Sequence, residues 1–307
     1  MQLKRRKRAA TNERKTLGWR RVVIQNLCDL SVSDGQLSVT PQNGEEIILP
    51  VEQLQSVILE TTRCNITAAV LQCLAESGVP LLVCDKKHTP VAELVSYDAT
   101  ANHTGLAMDQ AALLPEAKAA VWERIAKQKI NCQAQALLLA GCECPEELHK
   151  LEQDLVGDDF ACKEGQAARI YFHRMFGYDF RRDREDHLNA GLNYGYAVLL
   201  SYINRIVRSH GYLTELGIHH CSRKNPFNLS CDIMEPFRPV IDLVVKHLPD
   251  GEWNNACKKE LLESLDHPIY YKDRRWKVQD AIEQYFLDVM AAVMGNSREI
   301  GELKLVG

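Results

Sequence analysis

The chain has 307 residues, of which 46% are hydrophobic and 25% charged, and its formal net charge is −4. This composition is typical of a globular protein with a hydrophobic core, and it excludes a protein coated with positive charge for nucleic acid. No run of residues approaches the roughly 18 apolar positions that a membrane helix requires, so we expect no membrane partner.

Residues 1–18 are rich in lysine and arginine, and we expect them to form a basic, flexible leader. No apolar segment follows them, as it would in a secretory signal. The eleven cysteines contain no C-x-x-C pair, which argues against a zinc ribbon and favours reduced thiols. Together these features predict a cytoplasmic location.

Residues 19–97 have the pattern of a small β-rich domain. Short segments rich in β-branched residues alternate with turn signals, of which Asn43-Gly44 is a strong hairpin signal. Residues Ile66–Ser77 have helical spacing and end at Gly78. We therefore predict a compact sheet domain with one helix and no cluster of catalytic side chains.

The pattern changes after this domain. Residues 98–114 are predicted to form a linker, because polar residues and helix breakers dominate their start. Residues 115–295 have helical spacing almost throughout, and residues 296–307 are predicted to form a mobile tail. The predicted fold class is therefore α+β, with a small N-terminal β-rich domain joined by a short linker to a larger all-α domain.

The most informative stretch of the helical region is Gly217–Val240. It places two adjacent histidines, His219 and His220, ahead of two carboxylates, Asp232 and Glu235. Two prolines follow, which predicts that Glu235 lies near a helix start or a kink. Imidazole and carboxylate together suit Mn²⁺ or Mg²⁺. The same residues also suit a helix start held by salt bridges, and the spacing alone does not decide between the two.

Glu164 is a second candidate position. The predicted helix around it places Ala167 and Tyr171 on the same face, and small residues beside an acid let another helix approach closely. A carboxylate buried in this way needs a partner, which a metal ion would supply. The alternative is a surface glutamate paired with Lys163 or Arg169.

A long helix is predicted to begin at Asp186, which is a good N-cap residue. Asn189 and Asn193 lie four residues apart on it, with Tyr194 close by. Amide and phenol groups in these positions could orient metal ligands or contact DNA phosphates. Hydrogen bonding between helices is an equally good interpretation.

Local basic patches occur at Lys4–Arg8, Arg181–Arg184 and Lys272–Lys277. Arg238 lies three residues after Glu235, within reach of that carboxylate on a helix, and could pair with it or with a phosphate. These patches are the candidate electrostatic contacts to DNA.

Four segments together resemble one known family, the CRISPR-associated integrase. This is the larger of the two adaptation proteins that insert captured DNA into CRISPR arrays. The segments are the G-x-x-H pattern of Gly217–His220, the pattern N-x-F-N-L-x-x-D-x-x-E-P-F-R-P of Asn225–Pro239, the helix Asp186–Leu199, and Lys163–Phe172. The second pattern is most similar to members from type II loci, which encode a single large RNA-guided effector nuclease.

The resemblance implies that Glu164, His220 and Glu235 are the catalytic residues and the ligands of Mg²⁺ or Mn²⁺. The family pattern places its histidine three residues after the glycine, which selects His220 and leaves His219 as a packing or DNA-contacting neighbour. The candidates for orienting the ligands or contacting DNA are His219, Asn189, Asn193, Tyr194, Asn225, Asp232 and Arg238.

The resemblance also implies an activity and partners. The protein would join the 3′-hydroxyl ends of captured DNA to a CRISPR repeat by transesterification, and would nick branched or linear DNA. It would act as a homodimer, with the N-terminal domain building the dimer, in a heterohexamer with the small adaptation protein. The effector nuclease of the same locus is a further expected partner. Two other classes stay open: a non-catalytic DNA-binding scaffold, and a metal-dependent phosphoesterase on small substrates.

Overall fold

The structure is a computed structural model that describes residues 20–85, 90–94, 103–143, 146–157, 159, 162–249, 253–297 and 299–306. The expected basic leader, residues 1–18, lies outside this range. The described residues form two compact units, and the chain passes from the first to the second after Leu94. The α+β class of the sequence prediction, a β-rich N-terminal domain and a larger helical C-terminal region, is confirmed.

The N-terminal unit contains two four-stranded sheets and one helix, α1 (Ala68–Glu76). The first sheet has the order β1-β5-β7-β8, and the second has the order β4-β3-β2-β6. The strands are β1 (Arg20–Ile24), β2 (Cys28–Ser33), β3 (Gln36–Pro41), β4 (Ile47–Pro50), β5 (Leu54–Leu59), β6 (Cys64–Ile66), β7 (Leu81–Cys84) and β8 (Pro90–Leu94).

Turn chemistry explains two hairpins of the second sheet. Strands β3 and β4 pair antiparallel around the predicted Asn43-Gly44 signal, with Val39 opposite Ile47. Strands β2 and β3 pair around Asp34-Gly35, where both residues have positive φ, as a tight hairpin turn requires.

The second unit is built mainly of helices around one hydrophobic core. Pro115 begins the long helix α3 and Asp186 caps α6, where its carboxylate accepts a hydrogen bond of 2.8 Å from the backbone N–H of Asn189. The helices are α2 (His103–Ala111), α3 (Pro115–Leu139), α4 (Glu146–Asp154), α5 (Lys163–Phe176), α6 (His187–Ser209), α7 (Asn228–Met234), α8 (Arg238–His247), α9 (Asn255–Glu263) and α10 (Val278–Val293).

This unit is not purely helical, which corrects the all-α prediction. Strands β9 (Pro268–Tyr271), β10 (Arg274–Lys277) and β11 (Leu303–Leu305) form a sheet in the order β10-β9-β11. The basic segment around residues 272–277 is therefore a hairpin. Lys272 and Asp273 turn it with positive φ.

The described part of the predicted mobile tail is ordered in the structure. Leu303 of β11 is fully buried, and its backbone N–H and carbonyl both bind the side chain of Gln128 on α3. The strand is only three residues long, so its alternation is too short to predict a strand from the sequence.

The linker is also shorter in the structure than the sequence predicts. Residues 98–102 lie outside the described chain, and α2 occupies most of the remainder of the predicted linker, residues 98–114. Gln110 on α2 donates to the carbonyl oxygens of Leu213 at 2.8 Å and Leu216 at 2.7 Å. Tertiary hydrogen bonds of this kind stabilise a helix that contains Gly105 and has a weak apolar stripe. Across the described helices, none has the length and apolar character needed to cross a membrane.

Candidate active site

Glu235 lies where the predicted kink occurs. Helix α7 ends at Met234, a 3₁₀ turn covers Glu235–Phe237, and α8 begins at Arg238. The prolines at positions 236 and 239 lack backbone N–H groups, so a continuous α-helix cannot run through this point. The break turns the carboxylate of Glu235 inward, where the residue is only 4% exposed.

Lys129, in the middle of α3, brings two of the predicted ligands together. Its ammonium forms ion pairs with a carboxylate oxygen of Glu164 and with Oε2 of Glu235. The two glutamates come from α5 and from the α7–α8 junction, so three separate elements meet at this cation. Convergence of this kind exists only in the folded chain.

Glu164 lies in the first turn of α5. The carboxylate of Asp159 accepts hydrogen bonds from the backbone N–H groups of Lys163 at 2.7 Å and Glu164 at 2.8 Å, which satisfies two unpaired donors of the helix start. Tyr171 on the same helix is fully buried, as the sequence pattern predicts. Glu164 thus faces the protein interior at its partner Lys129, and its side chain is 24% exposed.

His220 is held by Asp232. The carboxylate of Asp232 is fully buried and accepts hydrogen bonds from the backbone N–H groups of residues 218, 219 and 220. It also binds Nδ1 of His220 at 2.7 Å. Because a carboxylate accepts, Nδ1 carries the proton, and Nε2 is the ring nitrogen that can bind a metal or substrate. The hydrogen bond to Asp232 raises the pKa of His220.

Gly217 makes this loop possible. A Cβ at this position would collide with the carbonyl oxygen of His220 and lie 2.8 Å from Oδ2 of Asp232. The glycine of the G-x-x-H pattern is therefore required by close approach of the backbone. Lys118 on α3 donates to the Gly217 carbonyl oxygen at 3.0 Å and ties the loop to that helix.

His219 has a different environment from His220. Its ring stacks on Trp122 of α3, with 4.0 Å between ring centroids and an interplanar angle of 5°. Trp122 also meets the ring of His220 edge-on at 5.9 Å. His219 is thus a packing partner of α3 in the structure.

The charge of Glu235 is set by its surroundings. Burial alone would raise its pKa, but Lys129 and Arg238 outweigh that effect and lower the pKa to about 2. Nη1 of Arg238 lies 3.1 Å from Oε1 of Glu235. Burial alone would lower the pKa of Lys129, but Glu235 and Glu164 raise it. At neutral pH, therefore, Glu235 is a carboxylate and Lys129 an ammonium.

Arg238 is in turn positioned by an aromatic ring. Its guanidinium lies 4.2 Å from the ring centroid of Tyr196 on α6. The Tyr196 hydroxyl donates to Asp242 on α8, and the Tyr171 hydroxyl donates to the other carboxylate oxygen of Asp242 at 2.9 Å. Burial raises the pKa of Asp242 to about 6, although both phenols and the nearby Arg238 act to lower it.

Asn189 and Asn193 hold an arginine. Their side-chain oxygens accept from the guanidinium of Arg182 at 2.6 Å and 2.8 Å. Asn189 also donates to the backbone carbonyl of Arg181. The two amides thus fix part of the basic patch Arg181–Arg184, through neutral oxygens that leave the positive charge of Arg182 in place.

The structure gives two other candidates structural contacts. Tyr194 is 5% exposed and meets Trp253 edge-on at 5.5 Å. Asn225 accepts from the backbone N–H of Phe227 at 3.0 Å and donates to Sγ of Cys231 at 3.3 Å, so it shapes the turn before α7.

The ammonium of Lys129 occupies the position between the two carboxylates. Within the described residues, no three His, Cys, Asp or Glu side chains are grouped closely enough to hold a metal. Two carboxylates nevertheless face one position that a cation already fills. Oε2 of Glu235 is buried and in ion-pair contact with Lys129, yet among the described residues it finds no hydrogen-bond donor of good geometry. The imidazole of His220 is close enough to influence the pKa of Glu235. This donor set suits Mg²⁺ or Mn²⁺.

Some residues of this region could not be assigned to it from the sequence. Lys129 and Trp122 lie on α3, and Asp242 lies in an apolar stretch of α8. The only signal was a charged residue within a buried helix face. Lys129 stands between Ala126 and Ile130, and Asp242 between Ile241 and Val244, all of them buried.

Comparisons with known proteins agree with the motifs. Residues 22–258 match the model of the family described as CRISPR associated protein Cas1. The CRISPR-associated endonuclease Cas1 of Neisseria meningitidis serogroup C (strain 8013) is 33% identical over 293 residues, which are 94% of this chain and 95% of the relative.

Two solved structures share the fold. A casposase bound to integration product has a TM-score of 0.76 at 16% identity, and the match covers 92% of each chain. A chain of a Cas6-RT-Cas1–Cas2 complex has a TM-score of 0.73 at 19% identity, over 95% of this chain and 37% of that chain. The family resemblance drawn from the motifs is confirmed: the chain belongs to the CRISPR-associated Cas1 family.

Proposed function

We propose that this protein is a metal-dependent DNA integrase and endonuclease of CRISPR adaptation. It joins the 3′-hydroxyl ends of captured DNA to the repeat of a CRISPR array by transesterification, and it nicks branched or linear DNA in the cytoplasm. One observation carries the proposal. Glu164 and Glu235, from distant parts of the chain, converge on Lys129, and His220, oriented by a buried carboxylate, is close enough to Glu235 to lower its pKa. The Neisseria relative, a CRISPR-associated endonuclease, and the structurally similar casposase, bound to integration product, support it.

The residues of the site would divide the work. Glu164, His220 and Glu235 would hold Mg²⁺ or Mn²⁺, which when bound neutralises charge on a phosphodiester and activates an oxygen nucleophile. Asp232 keeps Nε2 of His220 directed away from its own carboxylate. Arg238 holds the carboxylate of Glu235 in place.

Arg182 is our candidate for contact with the DNA backbone. Asn189 and Asn193 fix its guanidinium through neutral oxygens, so its charge is available to a phosphate. Its guanidinium lies 5.6 Å from the ring centroid of Tyr196, the same ring on which Arg238 rests. Arg182 and Arg238, which binds Glu235, thus lie over the same tyrosine ring, and this supports a phosphate contact by Arg182 near Glu235.

The proposed partners follow from the family and from the complex in which a relative occurs. The Cas6-RT-Cas1–Cas2 complex supports an assembly with the small adaptation protein. We propose that this protein acts as a homodimer, two copies of which flank a dimer of that partner in a heterohexamer, with the effector nuclease of the locus as a further partner.

Strand transfer tests the proposal. The protein and its small partner are mixed with a labelled short duplex and a supercoiled plasmid carrying a repeat, with Mn²⁺ or with EDTA. We expect joining in the presence of Mn²⁺ and none with EDTA. We expect the Glu164→Ala and Glu235→Ala variants to lose this joining. Glu263→Ala, at an exposed glutamate of α9, is the matched control and should keep the activity. A duplex that is bound, but neither joined nor nicked by the parent protein, would favour the scaffold function.

A further inference from the structure

Lys129 is a charged side chain in an apolar helix face. Its neighbours on that face of α3, Ala126 and Ile130, are buried, and the lysine side chain itself is 10% exposed. Removing an ammonium from water costs several kcal/mol unless it is paired. Here two carboxylates, Glu164 and Glu235, provide the pairing. The three groups thus form a buried cluster with one positive and two negative charges.

The single ammonium of Lys129 does not by itself neutralise both carboxylates. Arg238 contributes a second cation, but it binds Oε1 of Glu235, the oxygen that does not face the lysine. Oε2 of Glu235 contacts the ammonium without a hydrogen bond of good geometry. A buried carboxylate oxygen of this kind is satisfied better by an ion with two positive charges and no directional preference.

From this geometry we infer that Lys129 is a displaceable internal cation, and that a divalent ion binds only by moving its ammonium out from between Glu164 and Glu235. The inference rests on the proposed function, because it concerns the same site. Lys129 is a positioning residue: it holds the two carboxylates together in the metal-free protein, so that they are not driven apart by their own repulsion.

Displacement has a consequence for DNA binding. The ammonium on its flexible four-carbon chain needs a new anion when it leaves the carboxylates. A DNA phosphate brought to the site supplies one, so the metal and the DNA should each increase the affinity of the other. Removing the lysine should weaken this coupling, while the metal site itself becomes easier to fill.

Calorimetric titration of Mn²⁺ into the full chain tests the inference. Lys129→Met keeps the length of the side chain and removes the charge, and we expect the dissociation constant for Mn²⁺ to fall by at least about tenfold. Lys127→Met is the control, because Lys127 pairs with Glu123 on an accessible surface of the same helix at 2.7 Å. That variant should bind Mn²⁺ as the parent does. Glu235→Gln should abolish the titrated binding and so locate the ion.

A second variant protects the test against misfolding. If Lys129→Met does not fold, Lys129→Gln keeps a neutral hydrogen-bond donor for the carboxylates, and the same increase in Mn²⁺ affinity is expected. Equal or weaker Mn²⁺ binding in a folded variant would overturn the inference while leaving the proposed function standing. No Mn²⁺ binding in either the parent or the lysine variant would overturn both.

Discussion

Two buried carboxylates seven positions apart, Glu235 and Asp242, have opposite surroundings. Glu235 faces two cations, Lys129 and Arg238, and its pKa falls to about 2. Asp242 is as deeply buried, but its direct partners are the hydroxyls of two tyrosines, and burial raises its pKa to about 6. Burial alone therefore does not mark a functional carboxylate, since the charge of the neighbouring groups decides what it can bind.

Arg238 links the two environments. It binds the carboxylate of Glu235 and rests on the ring of Tyr196, whose hydroxyl binds Asp242. Asp242 and its tyrosines thus support Arg238 on one side, and Glu235 faces Lys129 on the other. Substitutions on the two sides should separate these roles.

The largest effect is expected on the Glu235 side. Glu235→Gln keeps the size of the side chain but removes the charge that a divalent ion needs, so strand transfer and nicking should fall by at least about a thousandfold. Binding of the labelled duplex, measured by fluorescence anisotropy, should change little. Activity within tenfold of the parent would show that Glu235 is not a ligand.

A smaller loss is expected from the residue that orients His220. Asp232→Asn keeps one acceptor oxygen, which can serve the backbone N–H groups of Ile218 and His219, but places an amide N–H group against the imidazole Nδ1, so activity should fall about 10- to 100-fold. Steady-state nicking assays over a range of Mn²⁺ concentrations measure the loss. Excess Mn²⁺ should restore part of the activity. A loss of activity that does not depend on the Mn²⁺ concentration would argue against a role through the metal.

Substitution of Asp242 should change the stability of the protein and not its catalytic activity. The pKa of Asp242 rises from 3.8 to about 6 in the folded protein, so the folded chain holds this proton more tightly than the unfolded chain does. The stability that this proton gives to the folded protein is fully present below about pH 4 and is lost as the pH rises through about 6. Asp242→Asn removes this dependence.

The free energy of unfolding of the Asn variant, relative to the parent, should therefore rise by about 2 kcal/mol between pH 4 and pH 7. Urea unfolding at intervals of one pH unit measures this difference. A difference that does not vary with pH would mean that Asp242 titrates normally in the folded protein.

The smallest change is expected from Tyr196→Phe. The ring that supports Arg238 remains, while one hydrogen bond to Asp242 is lost, which should cost about 1 to 3 kcal/mol of stability. Strand transfer per folded molecule should stay close to that of the parent. A large loss of activity would show that the phenol, and not only its ring, acts in the reaction.

Local signals in the sequence predicted several parts of this region. Proline at position 115 predicted the start of α3, Asp186 predicted a helix cap, and the two prolines after Glu235 predicted a break in the helix. Each depends on the backbone chemistry of one or two residues, so no tertiary information is needed.

Long-range convergence could not be predicted in the same way. Lys129 meets Glu164 from 35 positions away, and nothing in either residue's neighbourhood indicates the pairing. The family resemblance selected Glu164 and Glu235 together, but it did not indicate that a lysine lies between them. The ordered strand β11, residues 303–305, could not be predicted for the same reason, because it is held by Gln128 and Gln135 of α3.

We propose that Glu164, His220 and Glu235 bind one divalent ion. Anomalous diffraction at the manganese edge from crystals grown with Mn²⁺ tests it most directly. A single strong peak should lie between the two carboxylates and Nε2 of His220, with the ammonium of Lys129 moved away. Full Mn²⁺ loading elsewhere on the protein, with Lys129 still bridging Glu164 and Glu235, would contradict the account.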